Sequence, residues 1–446
     1  MNHKEFAAEV VRKAIKSGAA EAEVFLEEGR ESEVGTRMGK IETLKQATSK
    51  GLGLRVFAGK KLGFSYTSDF SKKSIEAFIE KAVALAKETS KDEYNGLPTI
   101  AGGFRYPDLD LFDSELQNLS TDWKIEACKE MEETAFAYDE RINNSHGATV
   151  YDGDSLRVLA NSHGVLHSYK STYCYLVCVP VAMQEGKMQT GFWFSYKRFF
   201  RELDSPKEVA TIAAKRTVSQ LGARKAQTKR VPVVFEPLMS ASIIGTIFGA
   251  LNGDRVYKRQ TYLVDKLGEE IASPLVTVID DGTSPQAVGS APLDGEGLPT
   301  SRKMVIDKGI LQRYFYDTYT ANKVGTEPTG NAQRGYSSIP RIGSWNFYLE
   351  AGESSPEEII ASVKEGLYVT RMMGFGLNMA TGDLSRGAMG LWIENGELTY
   401  PVEEATIAGN MLDILREVEM VGDDLRFMTT TCAPTIKVKE MTVSGA

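Results

Sequence analysis

The sequence predicts an α+β chain: a smaller N-terminal α/β unit, a strand-rich middle unit with flanking helices, and a C-terminal domain of mostly antiparallel sheet with helices at one side. Three observations carry this. Strand-like alternation fills Ala148 to Phe200 and recurs through most of the chain after Val231. Helix starts of the Ser-x-x-Glu or Ser-capped kind precede apolar stripes at Ser120, Ser205 and Ser355. Two stretches lack periodicity: residues 88–118, with Gly96, Pro98, Gly102, Gly103 and Pro107, and the polar, basic residues 223–230. The expected division is 1–90, a linker 91–119, 120–224 and 225–446.

Taken in order, Phe6 to Lys16 is a first helix closed by Gly18. Glu21 to Glu28 alternates through Val24 and Leu26 as a strand, and Glu31 to Thr43 supplies another. Gly51 to Phe57 and Leu62 to Tyr66 form a hairpin across Ala58-Gly59-Lys60-Lys61, so the unit reads helix, four strands, helix, ending on Ser71 to Lys87. Gly51 and Gly53 sit inside a strand with no helix directly after it, which predicts a bulge or close backbone packing, not a dinucleotide loop. Ser120 caps a helix from Thr121 to Tyr138. The strands that follow turn at Asn161-Ser162-His163-Gly164, and Thr190 to Phe200 is aromatic on both alternating faces, as a strand buried on both sides would be. Ser205-Pro206-Lys207-Glu208 opens a helix that runs to Leu221 and ends at Gly222.

In the last half, Glu236 to Asp254 reads as a helix. Ile244, Ile247, Phe248 and Leu251 recur at i, i+3, i+4 and i+7, and Asn252-Gly253 can stop it. Ala241, Gly245 and Gly249, four apart, form a second stripe with almost no side chain. Glycine inside a helix costs ~1 kcal/mol against alanine, so this stripe predicts a close neighbour. Met304 to Tyr316 folds about Lys308-Gly309, and Asn395-Gly396 between apolar runs is the strongest short hairpin signal. Ser355 to Glu358 starts a helix closed by Gly366, and Pro434 to Val443 is a strand.

At 446 residues with 42% hydrophobic and 25% charged composition, the chain is globular, and its formal net charge of -8 disfavours nucleic acid or an anionic membrane as primary partner. No run reaches the ~18 apolar residues of a membrane helix, and the amphipathic N-terminus lacks the pattern of a signal peptide. Cys128, Cys174, Cys178 and Cys432 are too scattered for a disulfide framework. A soluble, cytoplasmic protein is expected.

The chemistry is sparse. The four histidines are His3, His146, His163 and His167. His163 and His167 flank a hairpin turn, and four strand residues span about 13 Å, too far to share a metal. Neither a nucleophile-elbow motif nor a phosphate loop is present. Asp280-Asp281-Gly282-Thr283, Asp294-Gly295-Glu296-Gly297 and Gly382-Asp383 fit either a hard cation or, better, Asx-type glycine turns. Thr329, Gly330 and Asn331 with Arg334, and Asp383 and Ser385 with Arg386, lie in donor-rich loops suited to a peptide main chain or a carboxylate. They serve equally well as structural turns.

Taken together, VIDDGT, PLDGEGLPT, DKGILQRYFYDTYTANKVG, PTGNAQR, TGDLSRGAMGLWIENGELTYPV, ATIAGNM, VGDDL and KVKEMTVSG resemble the TldD/PmbA family, within it the PmbA (TldE) branch, over nearly the whole chain. The resemblance implies a cytoplasmic, dimeric assembly in which a TldD-type subunit is a zinc metallopeptidase acting on unfolded peptides and the PmbA-type subunit is its partner. Without that partner the chain is expected to form a homodimer. In the TldD branch a helix carries H-E-x-x-x-H. Laid on this sequence, the first histidine falls on Ile244, the glutamate on Gly245 and the second histidine on Gly249, so the ligands and the base are missing. Cys432 matches a cysteine ligand of that branch only in its Thr-Cys context, and one thiolate cannot hold catalytic zinc alone. The expectation is a chain with no metal or cofactor of its own, zinc residing in the TldD-like partner. An autonomous peptidase, and a binding protein acting on gyrase or a toxin-antitoxin pair without direct DNA contact, are the rivals.

Overall fold

The computed structural model describes residues 2–99 and 104–445; Gly102 and Gly103 lie outside the described residues. Asn2 caps α1 (His3–Lys16), whose Ala7, Val10, Val11 and Ala14 form one buried stripe. Gly18, at φ +106°, turns the chain into β1 (Glu21–Arg37), β2 (Lys40–Ala58) and β3 (Lys61–Thr67). The two strands expected between Glu21 and Thr43 are one strand that turns at Met38-Gly39, so the unit reads helix, three strands, helix. The reason is the ladder: β1 is paired on both sides, with β2 and with a later strand, and this carries the polar middle that alternation alone could not bridge.

Ser71 precedes α2 (Lys72–Glu88), and a short α3 (Ser114–Gln117) leads to α4 (Thr121–Tyr138), where Ser120 Oγ accepts from Trp123 N. β4 (Ile142–Asn161), β5 (Leu166–Gln184), β6 (Lys187–Thr190) and β7 (Trp193–Lys197) follow. Thr190 to Phe200 is therefore not one strand. Gly191 packs on Thr217 and the chain leaves the ladder after Lys197 into a 3-10 turn. All seven strands join one antiparallel sheet, in the order β3-β2-β1-β4-β5-β6 with β7 also on β5.

Side chains alternate across a strand, and here the alternation sorts the sheet by residue parity. Even positions, including Val24, Leu26, Leu52, Leu54 and Val158, pack under α1 and α2, while Val34, Val150, Cys174 and Leu176 pack under α4 and α5 (Pro206–Val218). Odd positions around Phe25, Gly51 to Arg55 and Leu159 face the rest of the chain. Phe25, Leu159 and Val165 meet Leu293 there.

The remaining elements are β8 (Arg224–Lys225), β9 (Lys229–Phe235), α6 (Pro237–Ala250), α7 (Gly253–Tyr257), β10 (Val278–Asp281), β11 (Arg302–Asp307), β12 (Ile310–Leu311), α8 (Thr318–Val324), β13 (Ala332–Gln333), β14 (Arg341–Ile342), β15 (Asn346–Leu349), α9 (Pro356–Ala361), β16 (Glu365–Met373), β17 (Asp383–Glu394), β18 (Glu397–Asn410), α10 (Met411–Arg416), β19 (Val418–Val421), β20 (Thr431–Cys432) and β21 (Ile436–Gly445). Because β18 pairs with β21 as well as β17, strands β21, β9, β16, β17 and β18 close into a barrel. A smaller sheet, β12-β11-β10-β15-β20, lies beside it.

The predicted hairpins turn at Lys308-Gly309 and Asn395-Gly396, with all four residues at positive φ, as a tight two-residue turn requires. α9 stops at Ala361, short of the predicted Gly366. That glycine lies in β16, where an added Cβ would sit 2.6 Å from the Pro232 carbonyl oxygen, so it permits close strand contact. Glu236 to Asp254 is two helices, because Asn252 accepts from Asp254 N and Arg255 N and caps the second. Among the described residues no helix is long and apolar enough to cross a membrane.

Candidate functional site

α6 packs between barrel strands β9 and β16 on one side and β15 and β20 on the other. Its entry is anchored by Arg216, which donates Nη1 and Nη2 to the two carboxylate oxygens of Glu236 at 2.6 and 2.5 Å. Burial pushes the Glu236 carboxyl above its ordinary range while this guanidinium pulls the other way. Ile243, Ile244 and Ile247 have no solvent exposure and fill the main core. The opposite side, with Ser242, Gly245, Thr246 and Gly249, is half-buried, and we term it the α6 groove because its small residues lie between Thr431, Met379 and Arg386.

The small stripe has close neighbours, as predicted, and they are side chains. A Cβ on Gly245 would lie 3.3 Å from Thr431 Cγ2, and one on Gly249 would lie 3.1 Å from Met379 Cε. From β17, Arg386 Nη1 donates to Ser242 Oγ at 2.9 Å, its Nε has no hydrogen-bond partner, and burial lowers its pKa. Between Pro237 and Ala250 α6 carries no imidazole, thiol or carboxylate. Cys432 is 4% exposed, its thiol donates to the Thr429 carbonyl at 3.2 Å, and burial raises its pKa. These residues do not fit a zinc ion, and among the described residues no group of three His, Cys, Asp or Glu side chains is arranged to hold a metal.

The sequence-predicted residues separate into two places. Asp383 and Ser385 are exposed on β17 beside Arg386, and Asp383 accepts from Asn410 Nδ2 and Thr381 Oγ1. Thr329, Gly330 and the Asn331 amide nitrogen are engaged within the fold, while buried Asn331 Oδ1 has no hydrogen-bond partner among the described residues. Thr329 Oγ1 accepts from Tyr316 N, the Gly330 carbonyl accepts from Trp345 Nε1, and fully buried Asn331 donates to Asp280 Oδ2 at 2.8 Å. Asp280, pushed up to about 6 by burial, also accepts from Trp345 N. Asp281 accepts from Thr283 and Ser284, and Asp294 from the backbone N–H groups of Glu296, Leu298 and Ala332, so both act as turn-forming carboxylates. His163 bridges Glu21 and the Pro98 carbonyl, whereas His167 packs on Tyr106.

Arg334 belongs to a buried network with no local motif to announce it. Its guanidinium pairs with Glu23, which Arg55 also contacts at 3.0 Å, and Arg55 reaches Glu296 at 3.0 Å. Tyr336 lies across Gly51 and Gly53, which explains those glycines as sites of close packing. Glu23, Phe25, Gly51, Gly53, Arg55, Arg157 and Leu159 are all odd positions, so the polar face of the first sheet is the face that docks on the C-terminal half.

The class is that of the family whose domain models match this chain, a metallopeptidase family. The profiles of the PmbA/TldA metallopeptidase domain 1, central domain and C-terminal domain match residues 22–86, 114–221 and 228–445. The chain belongs to the PmbA/TldD metallopeptidase family. It is 33% identical to metalloprotease PmbA of Escherichia coli O157:H7 over 97% of this chain and 94% of the relative. It is 29% identical to a metalloprotease TldD homolog of Haemophilus influenzae over 89% and 87%. Among solved structures, a protein of Bacteroides thetaiotaomicron named as a candidate modulator of DNA gyrase superposes with TM-score 0.92 at 30% identity over 100% of both chains. TldE from Thermococcus kodakarensis superposes with TM-score 0.89 at 25% identity, covering 98% of this chain and 99% of that one.

Proposed function

We propose that this chain is a PmbA/TldE-like, non-catalytic subunit of a cytoplasmic TldD/TldE-type metallopeptidase that processes unfolded peptides, and that its α6 groove helps hold the peptide. The observation that carries this is the chemistry of α6. Ile244 is sealed in the core, and Gly245 and Gly249 leave the groove without a ligand or a base. What the groove retains is recognition. Arg386, half-buried with Nε sealed from solvent and Nη1 on Ser242 Oγ, offers Nη2 as a donor where an extended peptide's carbonyl can lie, with exposed Asp383 and Ser385 alongside. Relatives named PmbA, TldD and TldE all match this chain, in keeping with a TldD-like partner, in which this reading places the zinc.

The test is purification alone and together with a TldD-like partner, followed by metal analysis and a peptidase assay. The lone chain should carry no stoichiometric zinc and cleave nothing, while the pair should cleave unfolded peptides. Tightly bound zinc together with peptidase activity in the isolated chain would sink this reading.

A further inference from the structure

A cavity of about 350 Å³ lies between the docking face of the first sheet and the C-terminal half, within the size range of small-ligand sites. The segment Thr429 to Cys432 separates it from α6: Thr430 lines the cavity, and its neighbour Thr431 packs on Gly245 in the groove. Phe25, Leu159, Leu293 and Trp345 make one part of the lining apolar. Arg157 and Arg198 make the other part cationic.

The charges do not cancel. Arg157 spends Nε on Glu27 at 2.8 Å and keeps a partly exposed head. Arg198 is 8% exposed and faces only carbonyl oxygens: Nε donates to Ala287, Nη1 to Thr172, and Nη2 to Val288 and Ser290. Among the described residues it has no carboxylate within ion-pair distance. A buried charge is ordinarily paired, and this one lowers its own pKa to about 10 by burial. Arg334, fully buried and also in the lining, has its charge matched by Glu23. Asp294, the carboxylate in the lining, is held by three backbone N–H groups, and burial beside Glu296 pushes it up to about 8, so it offers Arg198 little charge near neutrality.

We propose that this cavity binds a monocarboxylate with an apolar body, the carboxylate lying against Arg157 and Arg198 and the body against Phe25, Leu159 and Trp345. One negative charge balances the Arg198 guanidinium, which has no carboxylate at ion-pair distance among the described residues. A dianion such as phosphate would bury a second charge with nothing to match it. Two sources carry this chemistry, the C-terminus of a short apolar peptide and a free organic acid. The proposal does not depend on the role of the α6 groove.

The test is calorimetric titration of the full-length protein with N-acetyl-leucyl-leucine, its C-terminal amide, 4-phenylbutyrate and inorganic phosphate. The free acid should bind at least about tenfold more tightly than the amide, a difference of ~1.4 kcal/mol, with phosphate weaker than either acid. Tighter binding of the dipeptide than of 4-phenylbutyrate assigns the site to peptide C-termini, and the reverse order assigns it to organic acids. Arg157→Gln, checked for folding by its thermal melt, should weaken the acid by about tenfold and leave the amide unchanged. Equal binding of acid and amide by the wild-type protein overturns the proposal without any variant. So does an Arg157→Gln protein that binds the acid like wild type. Loss of acid binding in Arg386→Gln but not in Arg157→Gln would place the ligand in the groove, overturning this site while leaving the proposed function standing.

Discussion

In the role proposed for the half-buried side of α6, where the helix itself supplies only the hydroxyls of Ser242 and Thr246, Arg386 is the neighbouring cation. Replacing it by alanine removes a charge-assisted donor, a group whose bonds contribute about 1.5–3 kcal/mol. Peptide binding by the assembled pair should therefore weaken by roughly tenfold or more, with little change in the melting temperature, as read by titration beside a thermal scan. The thiols give a second residue-scale expectation. Burial pushes Cys128 and Cys178 up to about 12 and raises Cys174 further. A maleimide at neutral pH should leave them unlabelled in the folded protein and label them after denaturation, since the thiolate is the reactive form. Asp280 supplies the pH dependence. Its folded pKa of about 6 lies above the ordinary aspartate value, so the unfolded chain loses its proton first. Its contribution to stability is fully present below the unfolded value and is lost as pH rises from there through about 6. Asp280→Asn should flatten the fall in melting temperature across that window.

Among the elements, α6 shows how one helix is a good scaffold and a poor place to rebuild chemistry. The triple change Ile244→His, Gly245→Glu, Gly249→His would put a polar ring into a fully buried position and a large side chain against Met379. We expect a loss of several degrees in melting temperature, consistent with about 2–4 kcal/mol for a disrupted core position, and no zinc-dependent cleavage, because orienting groups around a metal are absent as well. Caps and turns were legible in the sequence, because their signals are local: Ser120 and Asn395-Gly396 fell where predicted. The shortened α9 and the merged β1 were not, because Gly366 answers to Pro232 across the sheet and β1 is held by partners on both sides.

For the whole molecule, the buried ion network ties the two halves. Glu23 and Arg55 come from the first sheet, Glu296 and Arg334 from the C-terminal half, and all four side chains are nearly or fully buried. Removing one partner of such a pair strands a buried charge, at a cost of about 3–5 kcal/mol. Arg55→Met should lower stability by that order, measured by denaturant unfolding. A fragment comprising residues 225–446 should be more readily proteolysed than the same region in the full chain. Both outcomes would be absent if the halves were independent.

Period, caps and turn residues are local properties, and so the α+β class, most helices, the hairpins and the family resemblance could be read from the amino acids in order. The order of residues also shows that Ile244, Gly245 and Gly249 carry no metal donor or base. The sequence also isolated Gly51 and Gly53 as points of close approach, without their partner. Tertiary structure alone decided that the partner is Tyr336, that the odd, polar face of the first sheet is an internal face, and that Arg334 is sealed against Glu23 while Arg386 stays at the groove. It also decided that Arg198 reaches a cavity where, among the described residues, no carboxylate lies within ion-pair distance of it. These outcomes join residues as far apart as Arg55 and Glu296, and no local pattern records a pairing made only when the chain has closed on itself.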